Sequence, residues 1–179
     1  MIRTPLGLAH IKRSLRELYS HNASTPKSCT LDPDWDRSVD IYPGMGVVNQ
    51  ASASTGITDL VTLPNGTSDI PYGLIGVYVA PTLGIDEVAA AGVGAVPVWV
   101  LTPGSEFEVH SPAFDADLTW TFPTDGTELL VHVMTTGATR GALVPAGTAN
   151  ATTKPIARAI SRPSTDKLII SGLNAGAAY

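Results

Sequence analysis

The sequence predicts a mainly β protein, a small β-barrel or sandwich with short helical turns and an extended N-terminal arm. Three observations carry that expectation. The chain holds 17 glycines and 14 prolines among its 179 residues, above average usage, and most fall between apolar runs. The apolar runs are short and rich in branched residues, as at Leu74–Ala80 and Ala95–Leu101, which is strand chemistry. Turn signals return about every 8–12 residues, the spacing of sandwiches and barrels.

A chain of this length makes one ordinary domain with appendages and buries roughly two thirds of its unfolded surface, enough for a core without staples. Cys29 is the only cysteine, so neither a disulfide framework nor a zinc knuckle is expected. Net charge is −5, unevenly placed. Within residues 1–30, Arg3, Lys12, Arg13, Arg16 and Lys27 face Glu17 alone, which makes a basic arm on an acidic body. The acidic body repels phosphates and shows no basic stripe with interleaved aromatics, so no nucleic-acid partner is expected. Leu6–Leu8 is too short for the apolar core of a signal peptide. No run approaches the roughly 18 apolar residues of a membrane span, and no membrane partner is expected. The Asn22, Asn65 and Asn150 sequons read as turns.

Taken in order, residues 1–40 form the arm and residues 41–179 the body. Leu8, Ile11, Leu15 and Leu18 follow helical spacing, with Lys12, Arg13 and Arg16 mostly on other faces. That pattern predicts a short amphipathic helix which docks on a partner or packs on its own domain. His21–Asp40 is polar, with Pro26 and Pro33 as breakers, and reads as an extended linker. Asp32, Asp34 and Asp36 have the opening spacing of a calcium loop, but Arg37 stands where glycine is required and no acidic residue closes the loop. Trp35 is the better clue there, since an indole in a polar stretch buries against something.

The body divides into residues 41–114 and additional strands or a second small lobe over 115–179. Short strands are expected at Gly46–Asn49 and Ile57–Leu63, then a hairpin turn at Pro64-Asn65-Gly66-Thr67. Leu74–Ala80 is apolar on both faces, as a buried strand should be. Ile85–Ala91 can make one or two helical turns before Gly92 and Gly94. Val96–Leu101, a turn at Thr102–Ser105 and Glu106–Val109 read as a hairpin. Further strands are expected at Leu118–Phe122, Leu129–Met134 and Ala142–Val144. Pro155–Ser161 and Leu168–Ser171 make a final pair.

The residues show no chemistry. Glu106, Glu108 and His110 share one face of a strand and could hold a metal or serve acid–base work. Phe107 and Val109 take the other face, however, so the trio reads as the solvent side of an amphipathic strand. His132 is flanked by Val131 and Val133 without a carboxylate, and His10 and His21 lie in the arm. No nucleophile elbow, phosphate loop or dinucleotide fingerprint appears. The chain is therefore not read as an enzyme, and neither a cofactor nor a metal is expected.

Tyr72–Val109 is the organising unit, and it carries a resemblance. Gly73-Leu74-Ile75-Gly76-Val77, Val98-Trp99-Val100-Leu101 and Gly104-Ser105-Glu106-Phe107 resemble the strand steps of head decoration proteins of tailed bacteriophages. The likeness covers about Ile41–Phe114, entered through Tyr42-Pro43-Gly44-Met45. It implies a small tulip-like β fold, often a homotrimer, bound to the major capsid protein on the exterior of the expanded capsid, where it stabilises capsomer contacts. It also implies synthesis in the host cytoplasm and residence in the virion. On this reading Leu8, Ile11, Arg13, Leu15, Arg16 and Trp35 are the candidate capsid contacts. The alternative is a tail or adhesion module that binds a surface glycan or another virion protein, using an exposed platform of Tyr72, Tyr78, Trp99 or Trp120. A metal-assisted hydrolase built on Glu106, Glu108 and His110 is the third reading.

Overall fold

The computed structural model describes residues 15–19, 26–32, 35, 38–50, 59–79 and 95–173. Those residues form eleven strands and no helix. Five strands close a barrel in the order β2 (Lys27–Leu31), β4 (Leu60–Thr62), β3 (Gly46–Asn49), β5 (Pro71–Ile75), β6 (Ala95–Trp99) and back to β2. The β2–β4 pair is parallel and the others are antiparallel. Cys29 pairs with Val96, Ile75 with Val98, Leu31 with Val61 and Val47 with Gly73. The two-residue period puts all of these on one face. That face is the barrel interior, where none of the apolar members is more than 7% exposed.

The other six strands make an open antiparallel sheet. Its order is β1 (Leu15–Tyr19), β7 (Glu106–His110), β11 (Lys167–Ser171), β10 (Ala157–Ser164), β8 (Leu129–Val133) and β9 (Leu143–Pro145). Strands β8, β10 and β11 lie where alternation placed them. Phe107, Val109, Leu168, Ile170, Val131 and Val133 are fully buried. Barrel and sheet share one hydrophobic core. Trp99 of β6 packs edge-on against Phe107 of β7, with ring centroids 5.5 Å apart. At Gly46 of β3, a Cβ would lie 2.4 Å from the Val133 Cγ2 of β8. Only a residue without a side chain lets the barrel come this close to the sheet.

Several expectations need correction. Leu15–Tyr19 is a strand and not the end of a helix. Leu15 is directed toward the core with Val109, while Arg16, opposite Glu108, is exposed. Hydrogen bonding to the edge of β7 overrides a weak helical periodicity. Nor do the described residues from Pro26 to Asp40 stand apart as an arm. Strand β2 closes the barrel between β4 and β6, and Cys29, Leu31, Trp35 and Val39 are buried.

The pairing of β6 with β7 as a hairpin is also overturned, since β6 belongs to the barrel and β7 to the sheet. Thr102–Ser105 is therefore a crossover turn. Ser105 Oγ donates to the Thr102 carbonyl at 2.6 Å, and the Ser105 carbonyl accepts from Gly172 N at 3.0 Å. The Asn65-Gly66 turn joins β4 to β5 across β3 instead of making a hairpin. There the Asp69 carboxylate accepts from the Asn65 and Gly66 amides at 2.6 and 2.9 Å. Leu118–Phe122 alternates like a strand but is not one. Arg162 binds where the run begins: its Nη2 donates to the carbonyl of Ala116, just before it, at 2.8 Å, and its Nη1 to that of Leu118 at 3.4 Å. The helical turns expected at Ile85–Ala91 lie outside the described residues.

Candidate functional site

The polar trio on β7 resolves into a cross-strand charge ladder. Glu108 Oε1 lies 2.8 Å from His110 Nε2 and 3.8 Å from Lys167 Nζ. Register sets Arg16 opposite Glu108 and Lys167 opposite His110. The Glu108 carboxylate thus meets His110 of its own strand and Lys167 of the neighbouring one. Among the described residues, no group of three or more histidine, cysteine, aspartate or glutamate side chains is arranged to hold a metal. His132 has its Nδ1 2.5 Å from the Thr152 carbonyl oxygen, a contact that ties β8 to the loop before β10. Cys29 is buried, and burial pushes its thiol up, away from the reactive thiolate.

The expected contact residues separate. Leu8, Ile11 and Arg13 lie outside the described residues. Leu15 packs against the protein's own core. Trp35 is 3% exposed and belongs to that same core, so it offers no surface to a partner. Arg16 is exposed on the edge strand, beside Leu18, which is 38% exposed. Of the tryptophans proposed for a glycan platform, Trp120 is buried edge-on against Phe114 and donates from Nε1 to the Asp115 carbonyl at 2.9 Å. Trp99 is half-buried against Phe107. Sequence reading missed Tyr42, whose ring centroid lies 5.2 Å from that of Tyr78. The two are far apart in the chain, and only their strand register brings them together.

What remains is a strand-built body with interlocked halves, an exposed edge strand and no assembled catalytic group among the described residues. The sequence matches the phage cement protein family over residues 1–178, and the chain belongs to that family. No curated protein and no solved structure matches it. The family is a structural one, so this chain is a capsid-stabilising component of the phage particle. The match takes in the whole of Leu118–Gly172, well beyond the Ile41–Phe114 stretch that carried the resemblance.

Proposed function

We propose that this chain binds the exterior of the expanded phage capsid, contacts the major capsid protein and stabilises contacts between neighbouring capsomers as a homotrimer. The observation that carries the reading is family membership over residues 1–178. The fold suits the task. Interlocking a closed barrel with a six-stranded sheet gives a stiff body, and a stiff body loses little freedom when it docks. The proposed contacts are Leu8, Ile11 and Arg13 upstream of β1, together with Arg16 on its exposed side. Cations at a rim steer the chain onto an acidic surface and fix its register more than they add raw affinity.

Quantitative mass spectrometry of purified virions tests this reading. A lattice-wide cement protein is expected at about one copy per capsid subunit, because it follows the symmetry of the shell. A count of about a dozen or fewer per virion places the chain at a unique vertex or the tail and overturns the proposal. Added to heads that lack it, Arg16→Ala should bind more slowly than the wild type, with a weaker dependence on salt.

A further inference from the structure

Asp40, Tyr42 and Tyr78 are brought onto one face by a short piece of antiparallel pairing outside the named strands. Ile41 and Val79 exchange both backbone hydrogen bonds at 2.9 Å. In such a pairing the flanking residues 42 and 78 sit directly opposite each other, and residue 40 follows on the same side. The two rings are tilted by 50° at a centroid distance of 5.2 Å. Tyr42 Oη donates to Asp40 Oδ2 at 3.3 Å. All three residues are half-buried, so one side of the group stays open to solvent.

Two rings and a carboxylate on one half-buried face make a negative patch, because aromatic faces and carboxylates both attract cations. The carboxylate is felt at both phenols. Tyr42 and Tyr78 are each held above their ordinary values, first by burial and then by the charge of Asp40. Elsewhere the chain fills such places from its own residues. Lys27 Nζ sits 5.6 Å from the Tyr72 ring centroid, and the Arg162 guanidinium 5.7 Å from that of Phe114. Among the described residues, no lysine or arginine takes the corresponding place at Tyr42 and Tyr78, and none forms an ion pair with Asp40.

We infer that Asp40, Tyr42 and Tyr78 form a receptor for one cationic side chain, an arginine or lysine presented by the capsid subunit on which the protein docks. Charge complementarity selects the occupant: an acidic and aromatic patch on a chain of net charge −5 favours a cation and rejects a carboxylate. The inference rests on the capsid-binding reading and adds to it the chemistry of the group that is gripped. Arginine fits better than lysine, because its planar head can stack on a ring while its fork meets the carboxylate.

The test uses the full chain and two probes. In the first, N-acetylarginine amide is titrated in while the ring protons of Tyr42 and Tyr78 are followed by NMR. Saturating shifts are expected for the wild type. Asp40→Asn and Tyr78→Leu should each weaken binding about two- to fivefold, whereas Tyr78→Phe, which keeps the ring, should bind normally. N-acetylglutamate amide should leave the rings unmoved. Flat rings with the arginine probe overturn the proposal. So does an Arg37→Ala variant that moves the ring signals and newly admits the probe, since Arg37 would then be the occupant. In the second arm, heads lacking the protein are mixed with the same variants. Losses that parallel the NMR series support the receptor. A wild type that takes up the arginine probe but fails to bind heads sinks the capsid reading and leaves the cation site standing. Full head binding by Asp40→Asn and Tyr78→Leu overturns the assignment of a capsid cation as occupant.

Discussion

Arg140, in the loop after β8, donates from its Nε to the carbonyl oxygen of Pro64 at 2.6 Å, across 76 positions of chain. Its Nη2 also donates to the Leu63 carbonyl at 3.2 Å. One guanidinium from the sheet thereby satisfies two carbonyls at the end of β4, where the barrel's own ladder stops. Beside it, Gly46 N donates to the Gly141 carbonyl at 2.8 Å. Bonds from a charged donor to partly buried carbonyls are each worth about 1.5–3 kcal/mol. Arg140→Met is therefore expected to lower stability by about 2–4 kcal/mol, read as a shift of the urea midpoint. Arg140→Lys should recover less than half of that loss, because a single ammonium does not reproduce the fork.

Truncation separates the structural role of the early residues from a binding role. A chain starting at Ile41 lacks β2, which pairs with both β4 and β6, along with the buried Cys29, Leu31, Trp35 and Val39. It is expected to lose its cooperative melt and to expand on size exclusion. Of the described strands, a chain starting at Pro26 loses β1 alone and should keep a sharp melt at lower temperature.

Two glycines test the seam between barrel and sheet. A Cβ at Gly172 would lie 2.1 Å from the Thr102 carbonyl oxygen, which is backbone. At Gly46 it would meet the side chain of Val133. Both alanine variants should destabilise by about 1–3 kcal/mol or more through overpacking. Only the second has a local cure. Adding Val133→Ala should return part of the stability of Gly46→Ala, and a double-mutant cycle measures the coupling.

Acid should act late and in a defined place. The Asp125 carboxyl is held below its usual range, first by the Thr127 hydroxyl at 2.6 Å and then by the Thr127 amide. A depressed carboxyl contributes stability above its unfolded value and loses it as pH falls through the folded one. The turn is therefore insensitive to pH near neutrality and gives way only below the ordinary carboxylate range. By NMR titration, Thr127→Val should bring Asp125 back toward ordinary behaviour.

Cys29 offers a direct view of barrel opening. It is the sole thiol, 2% exposed and inside the closed ring of strands. A thiol reagent at mildly alkaline pH should label the native chain at least about a hundredfold more slowly than the chain in urea, since opening must come first. Fast native labelling would mean that β2 does not close the barrel.

Local pattern was legible wherever a strand has one wet face and one dry face. Glu106–Val109 alternates cleanly, Leu129–Met134 and the pair around Ala157 and Ile170 are short apolar runs between turn signals, and each is a strand in the sheet. Pairing between distant segments was not legible. Nothing in Lys27–Leu31 announces that it lies between β4 and β6, because its two exposed and three mostly covered positions follow from barrel closure and not from the local run. Trp120 misled for a related reason. Its alternation with Leu118 and Phe122 has the period of a strand, yet among the described residues no strand pairs with the run, and a period of two does not by itself supply a partner. Among the candidate contacts, burial of Leu15 and Trp35 depends on the partners they meet in the fold, which a single sequence does not display.

The first strand of the sheet also sets a timetable for synthesis. As the chain leaves the ribosome, β1 emerges long before β7, its only neighbour among the described strands, and β7 is flanked on its other side by β11, which ends at Ser171. The barrel waits too, because β2 cannot be enclosed until β6 has been made. The barrel can close once β6 is made, but the sheet cannot be completed until β11 has followed. Pairings this distant fold slowly and leave unpaired edges on incomplete chains. A copy whose synthesis stops before β11 therefore lacks a complete sheet and leaves β7 without its neighbour on that side, and the particle's supply of this component is screened for completeness by folding itself.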